Sequence, residues 1–204
     1  MTENVLEIIK KLRESKKRNF PQTFDLLINL KEFDLKKQES KITEEFSLPN
    51  GRGEDAKVVV FSDALRDVKT EVLNSSDIEN LGKNVSEAKK LGRNTDFFLS
   101  EPKLMPLIGK VLGRYLAPRG KMPKIIAGDV NSSVDSLKKS TRIRVKDSPV
   151  IQCVVGNENM KDEEISGNIE ALLKYMKTRL PKGKTNIGKV MLKLTMSEPV
   201  KLEV

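Results

Sequence analysis

The chain has 204 residues, 38 of them Lys or Arg and 29 Asp or Glu, for a formal charge of +9. With 37% hydrophobic residues it can bury a core, which excludes wholesale disorder, and the surplus of cations favours polyanionic partners. The absence of His, with Cys153 the only Cys, excludes His-based acid–base catalysis, Ser-His-Asp triads, the usual zinc clusters and an internal disulfide.

Val5, Ile8, Ile9 and Leu12 recur at helical spacing within 4–17, which ends in the basic run Lys16-Lys17-Arg18. The chain shows no signal-peptide h-region and no apolar run of membrane-spanning length, so a cytoplasmic protein is expected. Pro21 ends helix character, and from Thr23 the period becomes two. Phe24, Leu26, Ile28 and Leu30 then face a core, with Thr23, Asp25, Leu27 and Asn29 opposite. A charged loop over 31–41 leads to a second strand with Ile42, Glu44, Phe46 and Leu48 on one face.

Pro49-Asn50-Gly51-Arg52-Gly53 reads as a linker. Beyond it, Lys57 to Phe61 is a short apolar strand of the kind buried on both faces. Asp63 is placed to cap a helix carrying Ala64, Val68 and Val72. A helix over 85–91, a strand over 97–99, a helix over 103–116, a helix over 134–140 and a strand over 142–146 follow. Asp147-Ser148-Pro149 is the second linker. A strand over 150–155 precedes a long helix opened by Asp162, with the stripe Ile165, Ile169, Leu172, Leu173, Met176 and Leu180. The last strand, 189–196, turns Lys189, Met191, Lys193 and Thr195 to one face. Cys153, in an apolar run, reads as a small core residue.

The ends share long amphipathic helices with strands buried on one face, whereas the middle has short strands buried on both. This predicts a discontinuous α+β domain with an antiparallel or mixed sheet (1–53 and 148–204). Into it is inserted an α/β/α, Rossmann-like domain (54–147).

Two places are candidate contact sites. Phe20 and Thr23 flank the start of the first strand, and Thr195-Met196-Ser197-Glu198-Pro199 closes the last. By pattern alone, Phe20 is equally readable as a core residue, Thr23 as an edge hydroxyl, and the C-terminal segment as a strand exit. Lys189 and Lys193 share the Thr195 face, and Lys36, Lys37, Lys182 and Lys184 are cationic loop positions suited to phosphate or to plain solvation. Aromatic residues are only 4%, so an RNA partner would be read as a folded shape rather than as stacked single strands. The glycines at 109 and 113 sit inside an apolar-periodic helix and make no phosphate loop; no cofactor or metal is implied.

Leu116-Ala117-Pro118-Arg119-Gly120-Lys121-Met122-Pro123 resembles the Leu-Gly-Pro-Arg-Gly-x-Met-Pro loop of the universal L-one family, the mobile-stalk proteins of the large ribosomal subunit. The N-terminal Phe20…Thr23 strand, the Ser47-Leu48-Pro49-Asn50-Gly51 linker and the Thr195-Met196 element resemble other family motifs in the right order, with an archaeal flavour. The resemblance implies that Phe20, Thr23, Thr195, Met196 and Ser197 meet and contact large-subunit ribosomal RNA. It also implies assistance to exit-site tRNA release, repression of the protein's own mRNA, secondary RNA or tRNA contacts at Arg119 and Lys121, and a monomer when free. A nucleotide-using two-domain α/β enzyme is the competing expectation. Two residues depart from the family pattern. Ser197 and Ala117 stand where Gly is common, and at Ser197 a left-handed backbone would cost about 1–2 kcal/mol. On that ground Ser197→Gly is expected to leave RNA affinity equal or tighter.

Overall fold

The computed structural model describes residues 2–14, 18–35, 42–65, 68–126 and 128–203. The N-terminal helical spacing forms α1 (Thr2–Arg13), which buries Val5, Ile9 and Leu12. The alternation after Pro21 forms β1 (Thr23–Leu30), whose even-numbered residues are buried and odd-numbered ones half-buried. β2 (Thr43–Ser47) follows, flanked by buried Ile42 and Leu48.

β3 (Val58–Phe61) is buried throughout. At the described residues 63–65 and 68–70 the helix expected from Asp63 is not formed. The Ser62 hydroxyl accepts from the N–H groups of Ala64 and Leu65, and Asp63 accepts from the Ser75 N–H at 2.8 Å. Short polar side chains that bond nearby backbone in this way compete with helix formation. Val72 lies instead in β4 (Glu71–Leu73), parallel to β3. The helix comes later, as α2 (Ser75–Lys83), where Asp77 accepts from the Asn74 N–H at 3.0 Å. Then come α3 (Val85–Asn94) and β5 (Phe97–Ser100). The expected helix over 103–116 is split into α4 (Met105–Val111) and α5 (Gly113–Leu116), with the break at Leu112 beside a glycine, a poor helix-interior residue. β6 (Lys124–Ile125), α6 (Val130–Lys138) and β7 (Ser140–Arg144) precede β8 (Val150–Asn157). The chain ends with α7 (Asp162–Arg179), β9 (Ile187–Leu194) and β10 (Val200–Leu202).

These elements form two compact units, Met1–Asp55 with Lys139–Val204, and Ala56–Lys138. The sequence ends the middle segment at 147, but the structure ends the middle unit at 138. The difference is β7, which pairs antiparallel with β2, Ser47 opposite Ser140 and Thr43 opposite Arg144. Its alternating polar and apolar residues gave no sign of which unit held their partner strand.

In the terminal unit the sheet order is β10-β9-β1-β8, antiparallel throughout. One face packs on α1 and α7 in a core that includes Leu26, Ile28, Ile169, Leu172 and Met176. Burial in this core pushes the Cys153 thiol up to about 12, with the Asp25 carboxylate adding to the shift, which suits an inert packing residue. Asn168 of α7 is fully buried. It donates to the carbonyls of Gly51 (2.7 Å) and Val155 (2.8 Å) and accepts from the Asn50 N–H (3.0 Å), so it pins the 49–53 linker. Glu44 of β2 accepts from Tyr175 (2.5 Å) and Arg179 (2.6 Å), while Phe46 packs on the Tyr175 ring at 4.8 Å.

The middle unit has a parallel sheet of order β4-β3-β5-β6. Alternate residues divide between its faces. Val59, Phe61 and Phe98 pack with Ile78, Ile108 and Leu116, and Val58, Val60, Phe97 and Leu99 pack with Val130, Val134 and Leu137. Helices therefore cover both faces, as parallel strands require.

Candidate nucleic-acid interface

The β1–β9 register brings together two segments far apart in sequence. The Thr195 N–H donates to the Thr23 carbonyl at 3.1 Å, and the Thr23 N–H donates to Thr195 Oγ1 at 3.1 Å. The two hydroxyl oxygens lie 3.0 Å apart, although the residues are separated by 172 positions. Next to them, Gln22 Oε1 accepts from the Met196 N–H at 3.2 Å. Gln22 is itself buried, and its N–H donates to Glu158 Oε2 at 3.0 Å. Arg13 braces that loop, bonding Asp162 at 2.8 Å and the carbonyls of Glu158 and Met160 at 2.5 Å. Gln22 holds the corner in shape, yet a lone Gln between Pro21 and a strand start gives no periodic signal in sequence.

At this corner Phe20 is 46% exposed and Met196 57% exposed. Reading Phe20 as a core residue is therefore wrong. Two large apolar side chains stand in solvent beside a pair of threonine hydroxyls, a combination that suits a docking surface better than a strand end.

Ser197 behaves differently from the expectation. Among the described residues Glu32 is the one non-glycine with positive φ, so Ser197 carries no left-handed strain. Its hydroxyl accepts from the Leu194 N–H at 2.8 Å, and its own N–H donates to the Leu194 carbonyl at 3.1 Å, closing the turn that follows β9. The hydroxyl also donates toward the Glu198 carbonyl at 3.2 Å, so Ser197→Gly removes an accepted and a donated hydrogen bond and adds backbone freedom, together costing about 1–3 kcal/mol of local stability. The expected result is thus reversed: RNA affinity falls, by up to about tenfold, and a filter-binding titration of the variant measures it. Ala117, at φ −61°, is likewise unstrained.

The lysines separate into groups. Lys193 lies across the β1–β9 pair from Asp25, whose carboxyl is raised above its ordinary value, chiefly by burial, with Lys193 and Thr23 pulling it back. A raised carboxyl favours the protonated form in the folded state. Its stabilising contribution is complete below the unfolded value and is lost as pH rises through the folded one. Asp25→Asn is therefore expected to raise the melting temperature at neutral pH and to leave it unchanged near pH 3, as thermal melts at the two pH values would show. Lys189 is exposed, six residues before Thr195 on β9, toward the opposite end of the sheet. Lys182 is paired with Glu32 at 2.6 Å, while Lys184 is exposed. Lys36 and Lys37 lie outside the described residues. In the middle unit Arg119 is exposed, whereas Lys121 donates to the Thr95 carbonyl at 2.6 Å and the Arg93 carbonyl at 3.4 Å, capping the end of α3.

Among the described residues no cluster of His, Cys, Asp and Glu could hold a metal ion, and no helix is long and apolar enough to cross a membrane. Residues 12–198 match the sequence profile of the Ribosomal protein L1p/L10e family. The chain is 38% identical to the large ribosomal subunit protein uL1 of Methanothermobacter thermautotrophicus, over 99% of this chain and 100% of that one. It is 41% identical to uL1 of Methanothermococcus thermolithotrophicus, over 98% of each chain. With uL1 of Methanocaldococcus jannaschii it shares 40% identity, over 98% of this chain and 95% of that one. The motifs at both chain ends, the loop at 116–123 and these near-complete alignments agree: the chain belongs to the ribosomal protein L1p/L10e family.

Proposed function

We propose that the protein is a component of the large ribosomal subunit, in the cytoplasm, whose terminal α+β unit docks on structured ribosomal RNA. Phe20, Thr23, Thr195, Met196 and Ser197 form the central patch, and Lys193 and Lys189 hold phosphates along the same strand. The observation that carries this reading is the exposed pair Phe20 and Met196 on a corner closed by the Thr23–Thr195 hydrogen bonds. Membership in a family of structural ribosomal proteins sets aside the nucleotide-using enzyme. The archaeal relatives are each named as a large-subunit protein, which supports the same partner for this chain.

The two units act as separate domains in this reading, the middle one a Rossmann-like α/β/α module. Its Arg119, with Lys121 nearby, offers a secondary RNA or tRNA contact, and the stalk position would assist release of exit-site tRNA. A free monomer with the same patch would bind a matching structure in its own mRNA and repress translation. Filter-binding titration tests the central claim: a stem-loop-rich large-subunit RNA fragment should bind with nanomolar-order, salt-sensitive affinity. Equal affinity for any duplex of the same length, or absence from sedimented large subunits, would overturn it.

A further inference from the structure

Five lysines border an open cleft of about 460 Å³ in the terminal unit: Lys31 after β1, Lys177 of α7, Lys184 before β9, Lys189 of β9 and Lys201 of β10. β1 and β9 run antiparallel, so this cleft sits at the end of the sheet away from the Thr23–Thr195 corner, about 25 Å along an eight-residue strand. Glu203 is the sole carboxylate among the lining residues.

Three cations elsewhere in this unit are held by acids: Arg13 with Asp162 at 2.8 Å, Arg179 with Glu44 at 2.6 Å and Lys182 with Glu32 at 2.6 Å. None of the five cleft lysines is ion-paired to a carboxylate among the described residues. Five ammonium groups around one concavity repel one another, and a bound polyanion relieves that repulsion far more than dilute salt does.

We propose that this cleft is a second phosphate-binding site for the backbone of structured RNA, so that one RNA engages both ends of the β1–β9 ladder. The inference rests on the RNA-docking reading above. A polymer fits better than a small anion, because the positive charge does not stop at the cleft. Lys189 and Lys193 lie on one face of β9, about 13 Å apart, and carry the row toward Thr195. The cleft is also open and lysine-rich, without the enclosing apolar walls of a small-molecule site.

The test compares full-length variants in salt-dependent filter binding to a large-subunit ribosomal RNA fragment. The triple variant Lys184→Gln, Lys189→Gln, Lys201→Gln should lose about 2–3 units from the slope of log affinity against log salt, with affinity at physiological salt down roughly 10- to 100-fold. The control Lys10→Gln, Lys11→Gln, Lys174→Gln removes three exposed charges from the same unit and should change the slope by less than about 1. Phe20→Ala should lower affinity with the slope unchanged, which separates corner from cleft. An unchanged slope in the cleft variant, or an equal loss in the control, overturns the proposal. So does tripolyphosphate stabilising the wild type while the cleft variant keeps full RNA affinity, which would reassign the site to a free anion. If the wild type binds no ribosomal RNA, the docking reading falls and this inference with it. Exposed Lys→Gln changes should leave melting temperatures close to wild type, so a folding defect would be visible separately.

Discussion

Phe20→Ala combined with Met196→Ala is expected to weaken ribosomal RNA binding by roughly 30- to 1,000-fold while leaving the fold intact. The two side chains are about half exposed, so truncating them removes little buried area from the folded protein. On RNA the balance reverses. Packing a base against an exposed side chain contributes about 1–2 kcal/mol, in the lower part of the range for base stacking, and two such losses sum to the stated range. The threonines are different: Thr23 and Thr195 bond one another at 3.0 Å and set the geometry of the corner. The double alanine variant should therefore show near wild-type melting with severely impaired binding in the same preparation. Wild-type affinity would remove the apolar pair from the interface.

Asn168→Ala is expected to loosen the terminal unit by about 3–4 kcal/mol. Its amide satisfies two carbonyls and one N–H, on the 49–53 linker and on β8, in a site with no solvent access. Each buried backbone group left without a partner costs about 1–3 kcal/mol, and partial relaxation brings the total below the simple sum. Amide hydrogen exchange reads this locally. Protection in β1 and β9 should fall by roughly 100- to 1,000-fold, while protection in β3 and β5 stays at the wild-type level. Uniform loss in both units, or none in β1, would show that this asparagine is not what holds the linker.

Much of the terminal unit could be read from periodicity, because a strand buried on one face and a helix with one apolar stripe each leave a clear pattern. β1, α7 and β9 carry such patterns, and their buried residues match them. The middle unit was harder. Asp63 has the chemistry of a cap, but bonds the Ser75 N–H instead, and short β4 holds two half-buried residues, too few to show a period. β7 reads by position as part of the middle segment but belongs to the terminal unit, because strand pairing is non-local and its partner lies nearly a hundred residues earlier in the chain. At the candidate site the motifs named Phe20, Thr195 and Met196, but not the role of Gln22. A buried side chain that acts by accepting from a distant backbone N–H is visible only once the chain has folded. Ser197 shows the converse: a family glycine suggested strain, and the backbone there needs none.

The placement of β1 between β8 and β9 has a consequence for synthesis. The first strand to leave the ribosome is an inner strand of its sheet, and both its neighbours are translated after the whole middle unit. That unit can fold on its own schedule, while β1 waits with both edges unpaired and the closing threonine still to be made. A nascent or prematurely terminated chain lacking β9 therefore has no competent corner. If this corner is the RNA-docking surface proposed above, only a chain that carries β9 has it to offer.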